Sequence, residues 1–311
     1  LERVLLISPV RDEADHVNAV VAGIEAQARP PDLWVVVDDG STDGTRELLE
    51  AHAERLPYLR VVATPEGHTR DRGDRLAAAA PDRAWNFGLR QVDLASFTHL
   101  GKLDGDIVLG PEFIATMLDR FRADPLLGMA GGALLEQGRD GWRPLSPAPG
   151  YVSGACRLYS RACFEAIGGM PERLGADGIT IAYAKMRGFR TATLDDLKVR
   201  HLRHHGTAQG SLRGYARRGR YMYVLHYFPA WALMRALRSA LRDPPYGLSG
   251  LWLLGGYAGA ALRRVPQVED PELRAFTRAE LRDRVLGRLR RRSGSPPPVP
   301  ADPLTPPPPG R

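Results

Sequence analysis

Along the first hundred residues, short apolar runs alternate with longer stretches whose apolar positions recur at helical spacing. RVLLISPV reads as a strand, EADHVNAVVAGIEAQ as a helix, LWVVVDD as a strand and TDGTRELLEAHAERL as a helix. LRVVAT, DRLAAAAPDRAWNFGLRQV and THLGKLDGDIVL continue the series as strand, helix and strand. Strand and helix taking turns over short connections predict an α/β fold, with a mainly parallel central sheet and helices on both faces. Such sheets collect ligands at the carboxyl ends of their strands. Two pairs of acids stand there: Asp38 with Asp39, and Asp104 with Asp106.

From about Gly128 the pattern is less regular. MAGGALLEQ reads as a strand, SGACRLYSRACFEAIGG as a strand running into a helix, GADGITIAYAKMRGF as a helix and RTATLDDLKVRHL as a final strand. From Gly214 the chain turns aromatic and basic, and its last residues are Pro-rich. The expected organisation is an α/β domain over 1–213, in two parts of about 1–110 and 111–213. A helical extension over 214–290 and a disordered tail over 291–311 follow.

Bulk properties narrow the class only a little. With 311 residues, 43% hydrophobic and 25% charged, the chain can bury a substantial core. It is basic, at net +7, and its two cysteines, Cys156 and Cys163, form neither a CxxC pair nor a disulfide framework, which points to a reducing compartment. LERVLLISPV reads as a first strand rather than a signal segment, because SPVRDEAD follows with no small-residue cleavage site. No stretch reaches the ~18 apolar residues of a spanning helix.

The stretch WVVVDDGSTDGTRELLE matches the spacing of a calcium-binding EF-hand loop through Asp39, Ser41, Asp43, Gly44, Thr45, Glu47 and Glu50. That loop has to follow a helix, and LWVVV has the character of a strand. Asp104 and Asp106, two apart at a strand end, suit Mg²⁺ or Mn²⁺ bridging nucleotide phosphates. An Asp-Gly-Asp is also a common turn. No G-x-G-x-x-G follows the first strand and no G-x-x-x-x-G-K-[ST] occurs, so a nucleotide would be held by acids and a metal rather than by a glycine cradle.

The ordered series ISPVRDEAD, VVVDDGSTDGT, AWNFGL, LDGD, SGACRLYSRACFEAIGGMPE and GADGITIAYAKMRGFR resembles the family 2 glycosyltransferases, of the GT-A type. The resemblance runs from about Val4 to Arg190. It implies a catalytic domain over 1–213, in which about 1–110 bind a donor that is a nucleotide-diphosphate sugar and 111–213 an acceptor that is a carbohydrate or lipid-linked hydroxyl. Pro9, Glu13, Asp38 and Asp39 would line the nucleoside pocket, Asp104 would lie near ribose and metal, and Asp106 would bind Mg²⁺ or Mn²⁺ directly. Asp177 would be the general base of an inverting transfer; capping its helix is the ordinary alternative. The chain departs from the family pattern at Ala176 (usually Glu), at Ile179 (usually an acid) and at Trp85 (usually Arg).

KVRHLRHHG places His201, His204 and His205 after a strand. His201, nearest the strand end, is the candidate to complete the metal sphere or to touch the diphosphate. His68, Asp71 and Asp74 read as a charged surface loop. Between Leu197 and Arg242 there is no acid, while arginines alternate with aromatic and leucine residues. Such a stretch suits a diphosphate, a nucleic acid or an anionic membrane surface. FPAWALMRALRSAL and GLSGLWLLGGYAGAAL either lie in the membrane interface or pack on the catalytic domain. RRGRY does not match the Gln-x-x-Arg-Trp motif of processive relatives, which argues against a polymerising synthase.

These features predict an inverting, metal-dependent glycosyltransferase of surface polysaccharide or glycolipid synthesis, peripheral on the cytoplasmic face of the cell membrane. A sugar-binding scaffold without catalysis is the competing class, supported by Ala176 and opposed by the Asp104/Asp106 pair. A nucleotidyltransferase would want a Gly-rich, basic loop after the first strand, which SPVRDEAD is not. Nucleic-acid binding would rest on charge alone.

Overall fold

Every residue of the first strand is buried, as befits a strand covered on both faces. The computed structural model describes residues 2–65, 76, 78–138, 141–145, 150–203 and 211–292. In chain order its elements are β1 (Val4–Val10), α1 (Ala14–Glu25), β2 (Leu33–Asp38), α2 (Thr45–Ala53), β3 (Leu59–Ala63), α3 (Ala80–Leu89), β4 (His99–Leu103), β5 (Ile107–Leu109) and α4 (Phe113–Ala123). Then come β6 (Leu127–Gly138), β7 (Gly141–Pro144), β8 (Cys156–Ser160), α5 (Arg161–Ala166), α6 (Ala176–Met186) and β9 (Arg190–His201). The helices α7 (Ser211–Val224), α8 (Pro229–Arg242), α9 (Leu248–Leu262) and α10 (Pro271–Arg292) complete the series.

The strands form one sheet in the order β3-β2-β1-β4-β8-β6-β9-β5, with β7 on β6. β1, β2, β3 and β4 run parallel, as the alternating sequence predicts. β8 enters antiparallel between β4 and β6, while β9 runs parallel to β6 and β5 antiparallel to β9. Alternation along β1 sends Val4, Leu6 and Val10 into a core with α1 and α4, and Leu5 and Ile7 into a second core with α3, α5 and α6. The expected helices on both faces are therefore present.

Two expected elements differ. THLGKLDGDIVL is two strands rather than one: the chain turns at Asp104–Asp106, with Ile107 N–H donating to Asp104 O at 3.2 Å, and β5 pairs with β9. Of the helix expected over DRLAAAAPDRAWNFGLRQV, Asp74, Arg75 and Ala77 lie outside the described residues, and α3 opens at Ala80, where Pro81 suits a first turn whose N–H groups lack helical partners. Pro9 is tolerated inside β1 because the β1–β4 register ends at Ile7↔Lys102, before it.

Of the C-terminal helices, α7 and α10 pack on α6, and α8 and α9 pack against α7 and each other. Ile179 of α6 shares a core with Val224, Leu225, Val268 and Leu273. Tyr183 donates its hydroxyl to Asp270 at 2.8 Å, and Lys185 meets Glu280 at 2.8 Å. α7 and α9 approach so closely that a Cβ at Gly219 would overlap Leu253 O, and one at Gly256 would overlap Ala216 O. No described helix is long and apolar enough to cross a membrane. α10 continues to Arg292, past the expected start of the tail at 291. The remainder, 293–311, lies outside the described residues, as do His68, Asp71, Asp74, His204 and His205.

Candidate active site

The site is built at the carboxyl ends of the parallel strands, and its floor is made by two interlaced loops. Asp12 N–H donates to Ser41 Oγ (3.0 Å), Glu13 N–H to Thr45 Oγ1 (2.7 Å) and Ala14 N–H to Asp43 Oδ2 (3.0 Å). Thr42 N–H donates in return to Asp12 Oδ1 at 2.8 Å. The polar residues of DGSTDGT thus satisfy amides where α1 begins, which helix geometry leaves open. Oxygens that a calcium loop would aim at one ion serve these amides instead, and the loop follows β2, a strand.

Asp38 and Asp39 are both buried at this edge. Asp38 Oδ1 accepts from Ser41 N–H at 3.0 Å, closing the turn, and Asp39 Oδ1 accepts from Thr64 Oγ1 at 3.0 Å. Asp39 N–H donates to Val10 O and Arg11 Nη1 donates to Asp39 O, so Asp39 is tied to the end of β1. Glu13, also buried, accepts on Oε2 from His16 Nδ1 and from Arg203 Nη2, each at 2.7 Å. Burial pushes the Glu13 carboxyl up, opposed by His16 and Arg203 and reinforced by the nearby charge of Asp106.

The Asp-Gly-Asp turn presents its acids differently. Asp106 is buried, and its Oδ2 lies 3.2 Å from His201 Nε2, because Ile107 and His201 are partners across the β5–β9 ladder. Burial alone would raise the Asp106 carboxyl, but the hydrogen bond and charge of His201 hold it below its ordinary value. Burial would lower the His201 imidazole, and Asp106 reverses that and holds it up. Glu136 Oε1 stands 3.9 Å from His201 Nδ1. Asp104 keeps 36% side-chain exposure, yet its Oδ1 is buried without a hydrogen-bond partner and 3.9 Å from Lys102 Nζ. Burial, with the charges of Asp106 and Asp177, pushes Asp104 up to about 6 against the pull of Lys102.

Asp177 lies in the first turn of α6, but the N-cap position is Gly175. Its Oδ1 meets Arg157 Nη2 of β8 at 2.7 Å. Lys102 of β4, the register partner of Arg157, places Nζ 3.2 Å from Asp82 of α3. The charge of Asp177 is felt at both Asp104 and Asp82.

The structure therefore brings Glu13, Asp104, Asp106, His201 and Asp177 into one electrostatic neighbourhood. Asp38, Asp39 and Pro9 stand on the same sheet edge at the ends of β1 and β2. Sequence reasoning missed Arg157, Lys102, Asp82 and Glu136, and took Arg203 only as part of the basic stretch. The available signal was charge inside apolar strands, as in ACRLYS and HLGKL. Trp85, which departs from the family pattern, is fully buried core packed edge-on to Phe164, while Asn86 next to it donates to Met170 O and Glu172. An open groove of about 650 Å³ lies elsewhere, lined by Tyr223, His226, Asp270, Arg274 and Arg278 of the helical extension.

Parallel strands that end in carboxylates, an antiparallel β8 inserted among them, and a last parallel strand, β9, whose end returns a histidine to the same edge define a GT-A-like fold. The chain belongs to glycosyl transferase family 2, whose model matches residues 6–197, and it is a glycosyltransferase. Among solved structures it is similar to the mannosyltransferase PcManGT from Pyrobaculum calidifontis, in complex with GDP-Man and Mn²⁺. The identity is 21%, the TM-score 0.54, and the match covers 94% of this chain and 83% of that one. It is also similar to S. aureus TarS 1-349, at 15% identity and TM-score 0.52, over 85% of this chain and 72% of that one. The same TarS segment in complex with UDP-GlcNAc matches at 15% identity and TM-score 0.52, over 84% and 73%. At these identities the likeness concerns the fold. No curated protein matches the sequence.

Proposed function

We propose that the protein transfers a sugar, with inversion, from a nucleotide-diphosphate sugar to a hydroxyl of a carbohydrate or lipid-linked acceptor, using Mg²⁺ or Mn²⁺. The observation that carries this reading is the Asp106–His201 pair beside Asp104, whose buried Oδ1 has no hydrogen-bond partner. Hard oxygen donors with one imidazole suit Mn²⁺ or Mg²⁺. Among the described residues no three His, Cys, Asp or Glu side chains form a complete metal cage. Asp106, Asp104 and His201 would hold the ion. When bound it offsets negative charge on the departing diphosphate.

Pro9, Glu13, Asp38 and Asp39 line the nucleoside side of the edge, with Asp104 toward the ribose. Asp177, carried at the start of a helix, accepts the proton of the acceptor hydroxyl as that oxygen attacks the anomeric carbon from the face opposite the leaving group. The GDP-Man and Mn²⁺ held by PcManGT and the UDP-GlcNAc held by TarS support a donor of this class.

The helical extension supports work at an anionic membrane surface, on the cytoplasmic face, in polysaccharide or glycolipid synthesis. α8 buries Trp231, Ala232, Ala236 and Ser239 inward and turns Leu233, Leu237 and Leu241 outward, one turn apart. Leu248, Leu251 and Trp252 of α9 are also exposed. Arg235 is crowded by Arg218 and Arg238, and burial with these like charges lowers its guanidinium. An outward leucine stripe beside concentrated positive charge suits an interface with acidic lipid.

The test is binding and hydrolysis of UDP-, GDP- and dTDP-sugars, including GDP-mannose and UDP-GlcNAc, with Mn²⁺ or chelator, for the native chain and Asp106→Ala. Turnover of one donor that requires both metal and Asp106 is expected. Absence of binding by every donor would overturn the reading in favour of a scaffold without catalysis.

A further inference from the structure

Arg157 occupies a position where a charge is costly. It lies on β8, is 1% exposed, and stands in register with Lys102, a second buried cation, on the neighbouring strand. Directly opposed like charges destabilise a strand pair, and an isolated buried cation carries a desolvation cost of several kcal/mol. A hydrophobic residue would serve the sheet better if packing were its whole role.

The guanidinium is fully engaged. Nε donates to Ser153 O at 3.0 Å, Nη2 to Val152 O at 3.1 Å, and Nη1 to Tyr159 Oη and Thr180 Oγ1, each at 3.2 Å. Four contacts thus fix the planar fork before it reaches an acid, and the remaining reach of Nη2 goes to Asp177 Oδ1 at 2.7 Å. Thr180, one turn on in α6, donates to the carbonyls of Ala176 and Asp177 at 3.0 Å. Arg157 therefore grips the first turn of α6 at a carboxylate and at a hydroxyl.

Gly154 lies directly against the same carboxylate. A Cβ there would overlap the Asp177 carboxylate, Oδ2 first. Asp177 Oδ1 is buried, while the side chain as a whole is 40% exposed, so the exposure falls on the part turned away from Arg157. The carboxylate is confined by a fixed cation and by a bare backbone, and part of it stays exposed.

We propose that Arg157 is a positioning residue for the transfer reaction: together with the gap at Gly154 it holds the Asp177 carboxylate in one orientation, toward the acceptor hydroxyl. The proposal rests on the reading of Asp177 as general base. Ala176, where the family pattern has Glu, is buried and carries no polar group. The orienting contact to Asp177 thus comes from the sheet rather than from its neighbour in sequence. Arg suits this task better than Lys, because a planar, multiply bonded fork sets direction as well as charge.

The experiment compares Arg157→Met, Arg157→Lys, Gly154→Ala and Asp177→Asn in donor binding and in Mn²⁺-supported turnover of the donor selected by the panel above. Arg157→Met and Gly154→Ala are expected to lower kcat by about 10²-fold, the scale of an ångström's misplacement. The donor dissociation constant should change less than threefold, and Arg157→Lys should recover part of kcat. Gly154→Ala keeps every charge, so it tests position without removing the buried cation. A fall in donor affinity matching the fall in kcat, or unchanged kcat in Gly154→Ala, overturns the proposal. Unchanged kcat in Asp177→Asn would instead overturn the general-base reading. A double-mutant cycle of Arg157→Met with Asp177→Asn on the unfolding midpoint needs no turnover. Additive effects there overturn the Arg157–Asp177 link itself.

Discussion

Asp106 and His201 face each other across the β5–β9 ladder, with 3.2 Å between Oδ2 and Nε2. Each holds the other in its charged form: the carboxyl below its ordinary value, the imidazole above. In the presence of chelator this pair makes stability depend on pH. The Asp106 contribution is present above the unfolded carboxyl value, near 3.8, and is lost as pH falls through its lowered folded value. The His201 contribution is present below the unfolded imidazole value, near 6.5, and is lost as pH rises through its raised folded value. Urea denaturation across pH should show the pair's full contribution between these limits, and His201→Gln should flatten the upper limb. An unaltered upper limb in that variant would refute the assignment.

Lys102 compensates Asp82 at 3.2 Å and Asp104 at 3.9 Å. Removing one partner of such a buried group costs about 3–5 kcal/mol, because the remaining charge is left uncompensated. Lys102→Met should therefore lower unfolding stability by roughly that amount. Lys102→Met combined with Asp82→Leu should recover a large part of it, as measured by chemical denaturation. If the double variant is no more stable than the single one, Asp82 is not the partner that matters.

The outward stripe Leu233, Leu237 and Leu241 makes a prediction separable from catalysis. Leu237→Asp with Leu241→Asp should abolish co-sedimentation with phosphatidylglycerol vesicles and leave donor hydrolysis in solution within about twofold, since both side chains face outward. Binding to phosphatidylcholine vesicles should be weak even for the native chain, because the arginines then lack acidic lipid. Equal binding to both lipids would remove the electrostatic part of this account.

Cys156 and Cys163 are buried and free, and burial pushes both thiols up to about 12. The thiolate is the nucleophile, so neither should react with iodoacetamide at pH 8 in the folded protein, and both should react in urea. Mass spectrometry of the native sample reads this directly, and prompt labelling of either would contradict the packing around β8 and α5.

Much of the acid-lined end of the sheet was legible because its signals are local. Asp38 and Asp39 end an apolar strand, and Asp104 and Asp106 bracket a turn. Each therefore follows from periodicity and turn chemistry within a dozen residues. His201 was legible as a residue beside a strand end, though the structure makes it the strand's last residue. Arg157 and Lys102 were not singled out, since a single charge within an apolar strand does not say which acid it will meet.

The sequence by itself determined the alternation of strand and helix, the double-sided burial of β1 and β2, and the row of acids where those strands stop. It did so because periodicity and apolar content act over a few neighbouring residues. Only the tertiary structure decided which acids share a site. Asp106 and His201 stand 95 positions apart, and Arg157 and Lys102 become register partners only when β8 enters the sheet antiparallel. Such meetings are set by long-range strand pairing, and no local pattern encodes them.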